Sequence, residues 1–335
     1  MNIIVQKYGG SSVADKEKLD IISNNLIDEV NKGNSVVCVV SAQGKTTDKL
    51  VNLAKEYIGE AVSKCNKEMD MLLSTGELQT VSLLTMILKA KGYDAVGFTG
   101  SMAGIITDNN YSNAKILSIV PTNIMNSLND GKIVIVAGFQ GIDKFGNITT
   151  LGRGGSDLSA VAIAAAINAE KCEIYTDVDG VYTSDPNVIK NAKLIEKISY
   201  NEMLEAATSG AKVLHNRAVG VAKKYSLPIT VKRYNRAGGC TVVKEDKEDK
   251  NIENYAPKIV SIKKDLAKIT IVGEGLISDS KYIAKITGVA EILNVNIYQI
   301  SISEVAISII VENDIVNQLA EKIHKELFGW FGVML

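Results

Sequence analysis

Histidine is nearly missing from this chain: His215 and His324 are the only two in 335 residues. So few imidazoles leave little material for a zinc site or a Ser-His-Asp triad. Aromatic residues make up 5% of the chain, too few for platforms on which nucleic-acid bases stack. The formal net charge is -1, which argues against a broad cationic surface for nucleic acid. The four cysteines (Cys38, Cys65, Cys172 and Cys240) show no CxxC spacing, and Cys38 and Cys172 fall in apolar or strand-like runs. Buried free thiols in a reducing compartment are the simplest account. The N-terminal MNIIVQK lacks a signal-peptide pattern, and no apolar run approaches the ~20 residues a membrane helix needs. A cytoplasmic protein with neither nucleic-acid nor membrane partners is expected.

What is present is a folded composition, 46% hydrophobic and 22% charged, long enough for one large domain and a small one. The stretch 149–157, TTLGRGGSD, lies between a β-type run (133–136) and a long apolar helical run (158–169). Its glycines let backbone N–H groups approach a ligand, the following helix offers a positive dipole end, and Ser156 or Asp157 can cap it. Arg153 supplies a planar fork for a carboxylate or phosphate. This is an anion site but not a dinucleotide fingerprint, because the third glycine would fall at Asp157. A second such turn is 7–13, KYGGSSV, where Lys7 brings a point charge beside Gly9 and Gly10. The triplet Gly44-Lys45-Thr46 is not a Walker A loop, since Val39 stands where the motif needs glycine.

Strands are expected at 2–6, 35–40, 95–98, 131–137, 172–177 and 227–234, the last closing the first body, with helices at 16–31, 50–90, 158–169, 201–209 and around 212–225. Inside the second helix, 73–77 (LSTGE) reads as a break, with Glu77 a first-turn acid or else a group receiving an amine; the residues favour the cap. Asp177 and its neighbours, past a strand end, suit nucleotide and magnesium contacts or a plain Asx turn. Strands alternating with helices predict a mostly parallel sheet covered on both faces, with ligands at the strand carboxyl ends. The charged stretch within 236–257 reads as a linker, and 258–335 as a small strand-helix-strand-strand-helix domain of ferredoxin-like type, whose edges favour pairing with another copy. The apolar tail 328–335 is expected to pack at an interface.

Taken together, 7–12, 41–48, 74–77, Gln140 with its flanking glycines, 150–157, 176–182 and 210–215 resemble the aspartate kinases of the amino-acid kinase superfamily, in order and at family spacing across residues 1–235. The resemblance implies a three-layer αβα fold followed by an ACT-like module, and transfer of the ATP γ-phosphoryl group to the side-chain carboxylate of L-aspartate. It implies that Lys7, Gly9, Gly10 and Ser11 hold the transferred phosphoryl group, with Lys212 adding charge beyond the nucleotide phosphates. Arg153 would pair with the substrate α-carboxylate, and Glu77 would receive its ammonium, with Ser41, Thr47 and Ser156 nearby. Asp157 would orient Lys7 or the substrate amine, and Thr176, Asp177 and Tyr182 would contact ATP. Mg²⁺ would be held mainly by phosphate oxygens, with no protein metal cluster, and a homodimer would form through the ACT-like module.

Three departures stand out. Asn187 replaces a usual arginine, Asn216 replaces a usual proline, and only the second of two usual ACT modules is recognisable. The missing module, which commonly binds the feedback amino acid, implies weak or absent inhibition by lysine or threonine. The alternatives are another kinase of the superfamily, acting on glutamate, uridylate or carbamate, or a catalytically weak or inactive amino-acid sensor of the same fold.

Overall fold

The computed structural model describes residues 2–210, 213–235, 238–245, 257–274, 276 and 279–328. It divides into two compact units, Met1–Ile262 and Lys263–Leu335. The first unit contains, in chain order, β1 (Ile3–Tyr8), α1 (Lys16–Asn31), β2 (Ser35–Val40), α2 (Thr46–Ile58), α3 (Asn66–Ala90), β3 (Ala95–Phe98), β4 (Ile105–Thr107), β5 (Ile116–Ile119), α4 (Thr122–Asn129), β6 (Ile133–Ala137), β7 (Gln140–Ile142), β8 (Ile148–Thr150), α5 (Gly155–Ala166), β9 (Lys171–Thr176), β10 (Lys197–Ile198), α6 (Tyr200–Thr208), α7 (Asn216–Tyr225), β11 (Ile229–Arg233) and β12 (Cys240–Val243).

Eight strands form the main sheet in the order β10-β12-β11-β9-β1-β2-β6-β3, parallel except where β12 returns against β11. The apolar runs are continuous because both faces are covered. Ile3, Val5, Val37 and Val39 point toward α4 to α7, while Tyr8, Val36, Cys38 and Val40 point toward α1 and α3. The mostly parallel sheet and three α/β layers expected from the sequence are therefore present. A smaller sheet, β5-β4-β7-β8, lies apart from the main one, with β7 and β8 forming the hairpin around residues 143–147.

The helix ends follow ordinary chemistry. Asp15 caps α1 by accepting from the Lys18 N–H, and Ser199 with Glu202 forms a reciprocal capping box on α6. Helix α5 is apolar around most of its circumference because it is buried.

Several expectations need correcting. The helix expected over 50–90 is two helices, α2 and α3, and α3 runs unbroken through 73–77. The hydroxyls of Ser74 and Thr75 turn back to the carbonyls of Met71 and Leu72, which satisfies them within the helix. Gly76 is there for close approach: a Cβ would lie 2.8 Å from that of Ala42. Glu77 is thus a mid-helix residue, not a cap. Nor do Ser156 and Asp157 cap α5; the N-cap is Gly154, in the left-handed region, with no side-chain bond. Strand β12 follows the strand expected to be the last. Helix α3 is also long and apolar enough, by length and composition, to cross a membrane. In this fold it buries Leu73, Val81, Leu84 and Leu88 along with the carboxylates of Asp70 and Glu77.

Residues 258–262 lie along the first unit. Val260 N–H donates to the Thr183 carbonyl, Ser184 Oγ donates to the Val260 carbonyl, and Ser261 Oγ donates to the Ser209 carbonyl. The second unit contains β13 (Leu266–Val272), α8 (Lys281–Ile292), β14 (Gln299–Ser303), β15 (Ala306–Glu312) and α9 (Val316–Phe328). Its antiparallel sheet has the order β13-β15-β14, and its own core gathers Ile286, Ile307, Ile309, Val311, Leu319 and Ile323. Most of the expected linker (236–237 and 246–256) and the tail 329–335 lie outside the described residues.

Candidate active site

Strand periodicity decides where Lys7 points. It shares a face of β1 with Ile3 and Val5, the face that α5 covers, and it lies where β1 ends between β2 and β9. There Lys7 Nζ meets Asp157 Oδ1 at 2.7 Å, with the two side chains 12% and 14% exposed. Asp157 is the third residue of α5, so the carboxylate also sits in the positive field of the helix N-terminus. The contact is an ion pair without an aligned hydrogen bond to that oxygen.

A cleft of about 310 Å³ opens over this pair. Lys7, Gly9 and Gly10 line it from the end of β1, Ser41 and Thr47 from the segment after β2, and Glu77 from α3. Arg153, Ser156 and Asp157 close the other side. The turn after β1 and the one after β2 are tied directly: Gly44 N–H donates to the Gly10 carbonyl at 2.9 Å, and a Cβ on Gly10 would lie 2.9 Å from the Ala42 carbonyl oxygen. Ala42 and Phe139 also line the cleft without having stood out in the sequence, and Gly44, set aside there as no part of a Walker A loop, lines it too.

Glu77 is 3% exposed. Its Oε1 accepts from the Ala42 N–H at 3.0 Å, and its Oε2 has no partner. Burial pushes its pKa up to about 7, against a smaller downward pull from the Ala42 hydrogen bond. A buried carboxylate with half its hydrogen-bonding capacity unused is a place where a cation belongs. Across the cleft, Arg153 is exposed and has no partner among the described residues.

The loop carrying Arg153 is held from two sides. Asp70, fully buried on α3 two helical turns before Glu77, accepts from the Thr150 N–H and Oγ1 at 2.7 Å each and from the Ser112 N–H at 2.9 Å. Gly154, at φ +70°, packs so tightly on His215 that a Cβ would lie 2.3 Å from the imidazole Cγ. His215 caps α7, and burial lowers its pKa despite the nearby Asp157 charge. Asp70 could have been suspected only from its helical spacing to Glu77.

The remaining sequence candidates divide. Ser11 is exposed and is not among the cleft-lining residues. Thr176 ends β9, and Asp177 and Tyr182 follow it, on the other side of β1 from Ser41 and Thr47. There Thr176 Oγ1 donates to Asp177, and Tyr182 OH and Arg233 Nε both reach Asp179. Lys212 lies outside the described residues. Asp185 caps the turn that holds Asn187, its carboxylate accepting from the Asn187 N–H and side-chain amide. Asn216 is the first residue of α7, a position that also suits proline. Among the described residues no group of three or more His, Cys, Asp or Glu side chains could hold a metal ion.

Residues 2–233 match the amino acid kinase family. The chain is 42% identical to an aspartokinase of Geobacillus stearothermophilus, over 98% of each. It is 50% identical to an aspartokinase of Bacillus sp. (strain MGA3) over 82% of this chain, which spans 65% of that relative. Its structure resembles E. coli aspartokinase III in complex with lysine and aspartate (T-state), with a TM-score of 0.78 and 25% identity, covering 96% of this chain and 83% of the other.

Proposed function

The chain belongs to the amino acid kinase family and, within it, to the aspartokinases, enzymes that phosphorylate aspartate; we propose how its cleft performs that reaction. The observation that carries the proposal is the presence, in one cleft, of an unpartnered buried Glu77 oxygen, an unpartnered Arg153 guanidinium and the Lys7–Asp157 pair. Arg153 takes the α-carboxylate of L-aspartate through its planar fork, and Glu77 takes the ammonium. The hydroxyls of Ser41, Thr47 and Ser156 orient the substrate. Its side-chain carboxylate then points toward Lys7. No general base is required, because that carboxylate is already ionised near neutral pH, with an ordinary pKa of about 3.9.

Phosphoryl transfer needs positioning and neutralisation of charge more than covalent help from the protein. Lys7, held by Asp157, neutralises charge on the transferred group, and Gly9, Gly10 and Ser11 approach it through their backbone. Thr176, Asp177 and Tyr182, at and beyond the end of β9, bind the nucleotide, with Lys212 on its phosphates by motif. ATP supplies the γ-phosphoryl group, and Mg²⁺ offsets the phosphate charge. That ion would be held chiefly by phosphate oxygens and water. The product is 4-phospho-L-aspartate. Trapping it as the hydroxamate with hydroxylamine tests this directly. Aspartate-dependent product that disappears in Lys7→Ala is expected, and an aspartate-independent signal would refute the substrate assignment.

We also propose that lysine and threonine inhibit weakly or not at all. The alignment with the Geobacillus relative has 401 positions against 335 residues, so at least 66 of them (401 - 335) face gaps in this chain. That is in keeping with one absent ACT module. A homodimer through the second unit and a cytoplasmic location complete the proposal. Light scattering at micromolar concentration tests the dimer, and a monomeric mass would refute it.

A further inference from the structure

Arg217, on the first turn of α7, presents a guanidinium to backbone oxygens. Its Nη1 donates to the Leu151 carbonyl at 2.6 Å and to Asn113 Oδ1 at 3.3 Å, and its Nη2 donates to the Ala114 carbonyl at 2.7 Å. Among the described residues no carboxylate forms an ion pair with it, and burial lowers its pKa against a smaller upward pull from the Asp108 charge. A half-buried charge without a direct ion-pair partner is costly unless its N–H groups are well used. The helix does not need it as a cap, because His215 already fills that position.

The contacts of α7 bracket one residue. Arg217 holds the carbonyl of Leu151, two residues before Arg153, and His215 packs on Gly154, the residue after it. On the far side Asp70 holds Thr150 and Ser112, while Ala114 N–H donates to the Thr150 carbonyl at 2.9 Å. Segments 112–114 and 150–151 are therefore clamped between a carboxylate from α3 and a guanidinium from α7. Helix α3 also carries Glu77.

We propose that Arg217 is a positioning residue: it fixes the backbone of the 151–154 loop so that Arg153 stands at the right span from Glu77 to take a small amino acid by both ends. The inference rests on the reading of Arg153 and Glu77 given above. A planar fork suits two carbonyls at fixed angles because its donors are rigidly spaced, whereas the donors of an ammonium rotate on a flexible stem. Misplacing a binding group by an ångström costs on the order of 10²-fold.

Two variants, Arg217→Lys and Arg217→Ala, test it with two readouts. The expected result is a rise in aspartate KM of about tenfold to hundredfold, with ATP KM within about twofold of wild type. The lysine variant should be the milder, and added guanidinium should restore the alanine variant in part. Amide hydrogen exchange at residues 152–155 should quicken in both, while exchange within α7 holds. Unchanged exchange at 152–155, or an equal rise of both KM values, overturns the proposal. If the alanine variant does not fold, the lysine variant decides. If the wild-type enzyme fails to turn over aspartate, the substrate reading falls, and the exchange measurement still decides whether Arg217 holds the loop.

Discussion

Glu77 and Glu173 are buried to nearly the same depth, 3% and 2% exposed, yet their acidities move in opposite directions. Both carboxylates lose hydration. Glu173, on β9, is answered by Lys171 at 2.9 Å and Lys232 at 3.0 Å, and it accepts from Gln6 and from Tyr175, whose ring stacks on Tyr8. Burial would raise its pKa, but Lys232 and Lys171 outweigh that and bring it below the ordinary value. Glu77 has one backbone N–H and no cation, and burial wins. Gln6 and Lys7 are neighbours on β1 that face opposite sides of the sheet. Gln6 reaches the cluster whose bonds the protein has completed, and Lys7 reaches a cleft whose charges remain open. A completed network serves the fold, and an open one leaves its last bonds to a ligand.

Lys7→Ala tests the open side most severely. Turnover should fall by at least about 10³-fold, as expected when a charge-stabilising group is removed, while the melting temperature stays within a few degrees of wild type. Next comes the matched pair of glutamates. Glu77→Gln should lower kcat/KM for aspartate by about 10²-fold, the cost of removing one partner of a buried charge pair, without loss of stability. Glu173→Gln should do the reverse, destabilising by about 2 kcal/mol through lost charge-assisted hydrogen bonds and leaving aspartate KM within about twofold. Thermal melts and steady-state kinetics on both proteins check this. Loss of binding in Glu173→Gln with intact stability would dissolve the comparison.

A smaller effect concerns pH. The Glu77 pKa is raised on folding, so the empty protein holds a proton there that the unfolded chain releases. Its contribution to stability is full below about 4.5 and is lost as pH rises to about 7. The Glu173 pKa is lowered, so its contribution is present above the ordinary carboxylate range and is lost as pH falls. Melting curves between pH 5 and 8 should therefore decline less toward neutrality in Glu77→Gln than in wild type. The smallest expected effect is that of lysine and threonine on the kinase assay. Titrating both should leave the rate nearly flat, and sub-millimolar inhibition by either would contradict the regulatory proposal.

Much of this was legible in the residues. A lysine or arginine set among glycines between a strand and a helix signals an anion site through local chemistry alone, and so Lys7, Arg153 and Asp157 could be chosen early. The continuous apolar runs of β1, β2 and β6 announced a sheet buried on both faces. Glu77 was harder, because Ser74, Thr75 and Gly76 look like a helix break. Only packing against Ala42 and hydroxyl back-bonding within α3 reveal a continuous helix. Asp70, apart from its helical spacing to Glu77, and Arg217 were hidden for a related reason. Their partners, Thr150 and Leu151, lie 80 and 66 residues away, and no local pattern encodes such a contact. Strand β12 was missed because Cys240–Val243 gains its strand character from pairing with β11.

The central claim, that the open charge at Glu77 is completed by the substrate ammonium, has a direct test in proton counting. Aspartate binding would be measured by calorimetry at pH 6.5 in buffers of different ionisation enthalpy, for wild type and Glu77→Gln. With a pKa of about 7 in the empty cleft, Glu77 is mostly protonated at that pH and must ionise to receive the ammonium. The account predicts release of more than about half a proton per aspartate bound to wild type, and none from the variant. No release from wild type, or the same release from both proteins, would contradict it.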